Sequence, residues 1–410
     1  MKNCTQRSTR IYRWALLFAG VLAFSGCSDP SSNSAEHDAA ATELQSLLDA
    51  AVTAGMPGIS AAIATSNGIV WTGTSGMANI QNGDPIAPEM LFGIGSITKT
   101  FVNVVILQLA EEGHLDLDAT PANVLGEAVA GIPNADKATV SQLLNHTGGI
   151  PSWEDDPLWI REGRGDALKT AEIWGKTQTL PYITGHDPLF PPGEKHSYAN
   201  TNYTLLGMII EKVTGNEAVD EIHSRILEPL GLRDIHLEGF EDVPASQLPH
   251  RYHWATPEFR ADAGVNAVFD DVRPGLIDAT GSNLSVEWTA GGMVASAVDL
   301  VMYGKALRDG QLLKPESMAF MMDWFPIREG RWVGHNVFKS QYADGLVTIG
   351  HSGDVLGFNG ALYWVEGEDV VVAVLGNVGA MHSGPVPITA AGVARNREFT
   401  DAALSLTRYN

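Results

Sequence analysis

The sequence predicts an α/β protein in which both ends of the chain build one sheet and the middle forms a second lobe. Three observations carry this. Near the start, "GISAAIAT" (58–65) and "GIVWTGTSG" (68–76) read as strands joined by a turn at "SNG". Near the end, "FNGALYWVE" and "DVVVAVLGN" read as strands around "GED". Helical stretches lie outside both pairs: "ATELQSLLDAAVTAG", amphipathic and closed by Gly55, and "ITAAGVARNREFTDAALSLTRY", a terminal helix. Pairing of the two ends gives one sheet with helices packed on it. No internal repeat and no heptad pattern interrupts this plan.

The chain has 410 residues, enough for one large domain or two intertwined lobes. Its first 26 residues differ from the rest. Lys2, Arg7, Arg10 and Arg13 occur there with no acid, followed by the apolar run "ALLFAGVLAF" and then "SGC". That order reads as a secretory signal. Cys27, next in the chain, ends "LAFSGC", which resembles a bacterial lipobox and implies lipidation, with a membrane contact through that anchor alone and a periplasmic location. Residues 27–40 are small, polar and aperiodic, and read as the tether. Cys4 and Cys27 are the two cysteines, so a chain cleaved before Cys27 has no internal disulfide. No later apolar run suits a membrane span. The formal net charge is −22, and loss of the leader removes four cations and deepens it. Such a surface repels phosphates and excludes nucleic acid as partner.

The chemistry begins at "GIGSITKTF" (93–101). From Ser96 to Glu112 there is no glycine or proline, and Gly113 stops the helix. Ile97, Phe101, Val104, Val105 and Leu109 share one face, and Val102, Ile106 and Leu107 make much of the remainder apolar, so the helix reads as buried. Ser96, Lys99, Thr100 and Asn103 nevertheless form a polar stripe. A lysine held in such a helix has its pKa lowered by desolvation and becomes a base for the serine. Taken alone, Ser-x-x-Lys equally describes a capping serine and a snorkelling lysine, the simpler reading. Two further stretches change the balance. Tyr198 and Asn200 in "SYANTNY" point the same way in an extended tripeptide, a phenol beside an amide. His351, Ser352 and Gly353 in "GLVTIGHSGDVLGFNG" end a strand-like stretch, with Gly353 letting a substrate backbone lie close.

The ordered set Ser-x-x-Lys, Tyr-x-Asn, His-x-Gly resembles the penicillin-recognising serine hydrolases: class C β-lactamases, D-Ala-D-Ala carboxypeptidases, D-aminopeptidases and β-lactamase-fold esterases. The phrases "LQLAEEGHLDLDA", "LLNHTGGIP", "PPGEKHSYANTNYTLLG" and "AGGMVASAVDL" extend the likeness over most of residues 45 to 380. The resemblance implies a β-lactamase-like catalytic domain over 41–410. An antiparallel sheet flanked by helices (41–95 and 285–410) would stand beside a mostly helical lobe (96–284), with the site between them. It implies Ser96 as nucleophile, Lys99 and Tyr198 as the proton-handling pair, and Asn200 positioning Lys99 and the substrate amide. His351 stands where β-lactamases usually have lysine. The resemblance also implies that the backbone N–H groups of Ser96 and Asp354 form the oxyanion hole. The substrate is then a small peptide, a β-lactam or an ester, with D-amino-acid peptides first and no cofactor. From another class, a peptidoglycan-binding protein without turnover would keep the same fold.

Other candidates read as structural. His146 belongs to the loop phrase "NHTGG". "HRYHW" (250–254) lacks clustered metal ligands and reads as a surface or lobe-interface histidine pair. The tryptophans of "SWEDDPLWIREGRG" suit core or cleft wall equally. "AGGMVAS" lacks the context of a phosphate loop. One residue departs from the family pattern. Asp354, read as exposed and ionised, would repel a substrate carboxylate unless Lys339, His351 or a distant arginine offsets it. That expectation favours an aminopeptidase or esterase.

Overall fold

The protein is described by a computed structural model covering residues 30–408. The leader, 1–26, and Cys27 lie outside the described residues. Nine strands form the main sheet, and the two ends of the chain meet in it. Gly58–Thr65 pairs antiparallel with Val371–Gly376, from Ile59 opposite Gly376 to Ala64 opposite Val371. Gly68–Asn79 flanks the first strand, while Phe358–Val365 and then Val347–Val355 follow the other side. Gly58–Thr65 is buried along its whole length because both faces of the sheet are covered. Over one face lie helices Pro30–Thr53 and Arg397–Arg408, whose Leu44, Leu48, Phe399 and Leu406 join a core with Ile63 and Val374. The other face continues into the second lobe through helices Ala297–Arg308 and Thr98–Glu111.

Three features depart from the sequence reading. The tether is helical from Pro30, continuous with the helix expected to begin near residue 41. Proline suits the first helical position, and the alanines that follow are strong helix formers, so low complexity concealed helix. The terminal helix is two, Ala390–Arg395 and Arg397–Arg408. Asn396 is extended between them (φ −63°, ψ 129°), and its Oδ1 accepts from the Glu398 N–H at 3.1 Å, capping the second helix. Within the span read as helical, Ile235–Leu237 pairs with Met293–Ala295, and Tyr252–Trp254 pairs in parallel with Val378–Gly379. Residues near 250–280 therefore pack with the end of the chain. "HRYHW" serves that junction: His250 bonds Asp278 at 2.7 Å, and His253 donates to the Met381 carbonyl at 3.0 Å.

Candidate active site

Ser96 sits in a single tight turn, Gly95–Ile97, that runs directly into the buried helix Thr98–Glu111. The turn is pressed against the strand carrying the third motif. Gly95 has φ +52°, and a Cβ there would stand 2.7 Å from the Asp354 nitrogen. A Cβ on Gly353 would stand 1.8 Å from the Ile94 carbonyl oxygen. Gly353 thus makes room for the nucleophile turn, not for a substrate backbone as the sequence suggested. The same contact brings the Asp354 N–H beside the residue preceding Ser96, where an oxyanion donor belongs.

Lys99 is fully buried, and its Nζ donates to Ser96 Oγ at 3.0 Å and to the Ala290 carbonyl at 2.5 Å. Burial lowers its pKa to about 7, against the opposing pull of Glu154 and Glu287. Both carboxylates bind the buried Arg164, at 2.6 and 2.8 Å. This arginine cancels much of the negative charge that would otherwise keep Lys99 protonated. Burial also pushes Glu287 up to about 7. Sequence reasoning missed this cluster, although Glu154 and Arg164 both lie in "SWEDDPLWIREGRG". The tryptophans of that segment, Trp153 and Trp159, are core residues that hold the two charges in place.

The Tyr198 ring lies 5.0 Å from Lys99 Nζ. Ala199 is extended (φ −144°, ψ 123°) and Asn200 opens the helix Asn200–Thr214. The Tyr198 hydroxyl is buried, and burial raises its pKa; Ser96 is near enough to oppose the shift, yet no well-formed hydrogen bond joins them. That leaves the phenol protonated and free to serve a substrate atom. His146 supports it from behind, with ring centroids 4.2 Å apart, while its Nδ1 accepts from the Ala199 N–H at 3.2 Å. Asn200 gives its amide to Glu154 at 2.5 Å instead of to Lys99, and its Oδ1 is buried without a partner.

His351 is buried and its pKa falls to about 3, so it is neutral; Nδ1–H donates to the Ser352 carbonyl at 2.5 Å. Asp354 is half-buried. Its carboxylate accepts from the Ala380 N–H and the Asn359 amide, each at 2.9 Å, and burial raises its pKa to about 7. The exposed, fully ionised aspartate read from the sequence is corrected to a structural one. Lys339 pairs with Glu366 at 3.0 Å and does not line the cavity at Ser96. The cation beside the third motif is Arg395, which donates to Ser352 Oγ at 2.8 Å. It is the last residue of helix Ala390–Arg395, just before the break at Asn396. A cavity of about 560 Å³ joins Ser96, Tyr198, His351, Ser352 and Arg395. Among the described residues no cluster of potential metal ligands occurs.

The arrangement sets a serine hydroxyl against a buried lysine with a pKa near neutrality, beside a protonated phenol. Known proteins resemble the chain in sequence and fold. The chain is 29% identical over 318 residues to penicillin-binding protein 4 of Amycolatopsis lactamdurans, covering 75% of this chain and 78% of that one. It is 24% identical to esterase EstB of Burkholderia gladioli, covering 71% and 76%. Its fold matches D-amino acid amidase of Ochrobactrum anthropi SV3 with TM-score 0.77 and 26% identity, over 90% of this chain and 99% of that one. The family model described as Beta-lactamase matches residues 44–391, and the chain belongs to that family as a serine hydrolase.

Proposed function

We propose that this serine hydrolase cleaves D-amino-acid peptides whose leaving residue carries a free carboxylate, as a D-Ala-D-Ala carboxypeptidase does. Neutral Lys99 takes the Ser96 proton, and Oγ attacks the scissile carbonyl. The N–H groups of Ser96 and Asp354 hold the oxyanion. Tyr198 passes a proton to the departing amine and is reprotonated by the proton that Lys99 took from Ser96, and water then releases the acyl group. The observation that carries the substrate class is Arg395 donating to Ser352 Oγ at 2.8 Å: a guanidinium and a hydroxyl side by side suit a carboxylate. Asp354, turned to Ala380 and Asn359, does not oppose it. The likeness to a D-amino acid amidase solved with L-phenylalanine amide supports a small amide substrate. The likeness to an esterase favours a second reading, in which the same acyl chemistry acts on neutral esters.

The test compares a D-Ala-D-Ala peptide with its C-terminal amide. Wild type should prefer the free acid, and Arg395→Gln should lose about tenfold of that preference, as expected for one charge-assisted contact. A nitrophenyl ester serves as control for folding. Equal turnover of acid and amide by the wild type rejects this substrate class in favour of the esterase. We also propose that the mature protein is a periplasmic lipoprotein anchored at Cys27, on the strength of the basic, apolar and small-residue order of 1–27. Cys27→Ser should move it from the membrane fraction to the soluble fraction; a wild-type protein found soluble with a free Cys27 thiol contradicts the anchor.

A further inference from the structure

Arg395 is not alone. Arg328, at the end of strand Phe325–Arg328, and Arg331, at the start of Arg331–Val333, line the same cavity. All three also line a second cavity of about 320 Å³ beside it. The two spaces share Phe338, His351 and Ser352 as a common wall. Arginines elsewhere, such as Arg164, Arg225 and Arg251, pair with carboxylates. Arg328, Arg331 and Arg395 pair with none among the described residues. Arg331 instead lies over the Phe338 ring at 4.9 Å, and burial together with Arg395 and Arg328 lowers its pKa. The acids on these walls are few: Glu329 in the second cavity, which is exposed, and Glu154 and Asp354 in the first, which are already hydrogen-bonded. Three unneutralised guanidinium groups gathered in a protein of net charge −22 repel one another until an anion arrives.

In the reaction proposed above, the cluster lies toward Tyr198, the group assigned to protonate the leaving amine. Tyr198, the proton donor, is 6.2 Å from the His351 ring, His351 is 5.1 Å from Phe338, and Phe338 carries Arg331. We infer that the second cavity receives a second carboxylate of the leaving group, so that the released amine is an acidic amino acid. This rests on the reading that Arg395 and Ser352 take the first carboxylate. Arg328 and Arg331 hold the second, and Ser340 and Gln341, from the neighbouring strand, line the same space with a hydroxyl and an amide.

The experiment measures kcat/KM for N-acyl-D-Ala peptides ending in D-Ala, D-Gln and D-Glu, with a neutral nitrophenyl ester as folding control. Gln and Glu differ by one charge at nearly equal size. Wild type should favour the Glu peptide over the Gln peptide by about tenfold or more, in line with charge-assisted hydrogen bonding. Arg328→Gln, at an exposed position, should lower that ratio several-fold, and adding Arg331→Gln should bring it near one. If the double variant loses ester hydrolysis through misfolding, Arg328→Gln alone decides. A wild-type Glu to Gln ratio near one, with the D-Ala peptide still cleaved, overturns this inference and leaves the carboxypeptidase reading standing. Cleavage of the ester and of no carboxylate-bearing peptide overturns both.

Discussion

Lys99 can serve as a base because burial removes water from it, while Arg164 offsets part of the counter-charge that would keep it protonated. Two carboxylates face it, and Arg164 holds both. With a pKa of about 7, the lysine is half neutral at pH 7 and increasingly neutral above it. Acylation therefore rises with pH through about 7, the side on which Lys99 has lost its proton. Lys99→Arg retains the charge but cannot deprotonate, so it should acylate no faster than Ser96→Ala. Intact-protein mass spectrometry after mixing with an acylating probe reads this directly; an arginine variant that acylates at the wild-type rate removes Lys99 from the role. Asp354 makes the opposite case, an acid whose carboxyl oxygens are committed to structure as hydrogen-bond acceptors. Asp354→Thr leaves the Ala380 N–H and the Asn359 amide short of an acceptor, a loss of about 1–3 kcal/mol per buried group. We expect a lower urea midpoint with the ratio of free-acid to amide turnover changed less than about twofold, well under the tenfold that 1.4 kcal/mol would give. A large rise in that ratio would return Asp354 to the substrate.

At the scale of elements, the site depends on how closely two backbones approach. The nucleophile turn and the third-motif strand meet through Gly95 and Gly353, with no side chain between them. Gly353→Ala drives a methyl into the Ile94 carbonyl, and overpacking of this kind costs about 1–3 kcal/mol, here toward the upper end. It should lower thermal stability and also slow acylation, because the Asp354 N–H moves away from the oxyanion; a variant with normal acylation would show that the donor pair tolerates displacement. These contacts explain what the sequence could disclose. Gly58–Thr65 and Phe358–Val365 were legible from their apolar runs, and the helix after Ser96 from its uninterrupted pattern. Ser-x-x-Lys and Tyr-x-Asn were legible because each is local. Glu154, Arg164 and Glu287 were not, since Arg164 and Glu287 meet across 123 residues of chain and no local pattern marks a buried charge. Arg395 was hidden for another reason: the helix pattern runs through "VARNREF", and the break there depends on the side chain of Asn396 acting as a cap.

At the scale of the molecule, a small cationic pocket is set in a strongly acidic body, with 48 aspartates and glutamates against 26 lysines and arginines. The two act on an anionic substrate with opposite sign and at different range. The screening length is about 30 Å at 0.01 M salt and about 10 Å at 0.1 M. At the lower concentration the whole acidic surface repels the approaching peptide. At the higher one most of that surface is screened, while Arg395, in contact with the carboxylate of the proposed substrate, is not. Near 1 M the length falls to about 3 Å, and the contact itself weakens. The kcat/KM for a D-Ala-D-Ala peptide, divided by that for its neutral amide, should therefore rise between about 0.01 and 0.1 M salt and fall again toward 1 M. Dividing by the amide cancels effects of salt on folding and on the acyl transfer itself. Arg395→Gln should keep the rise, which comes from the distant acids, and lose the fall, which comes from the contact. A ratio that declines steadily from the lowest salt would mean that the arginines govern the field at the mouth of the cleft, and that the acidic surface lies too far from it to matter.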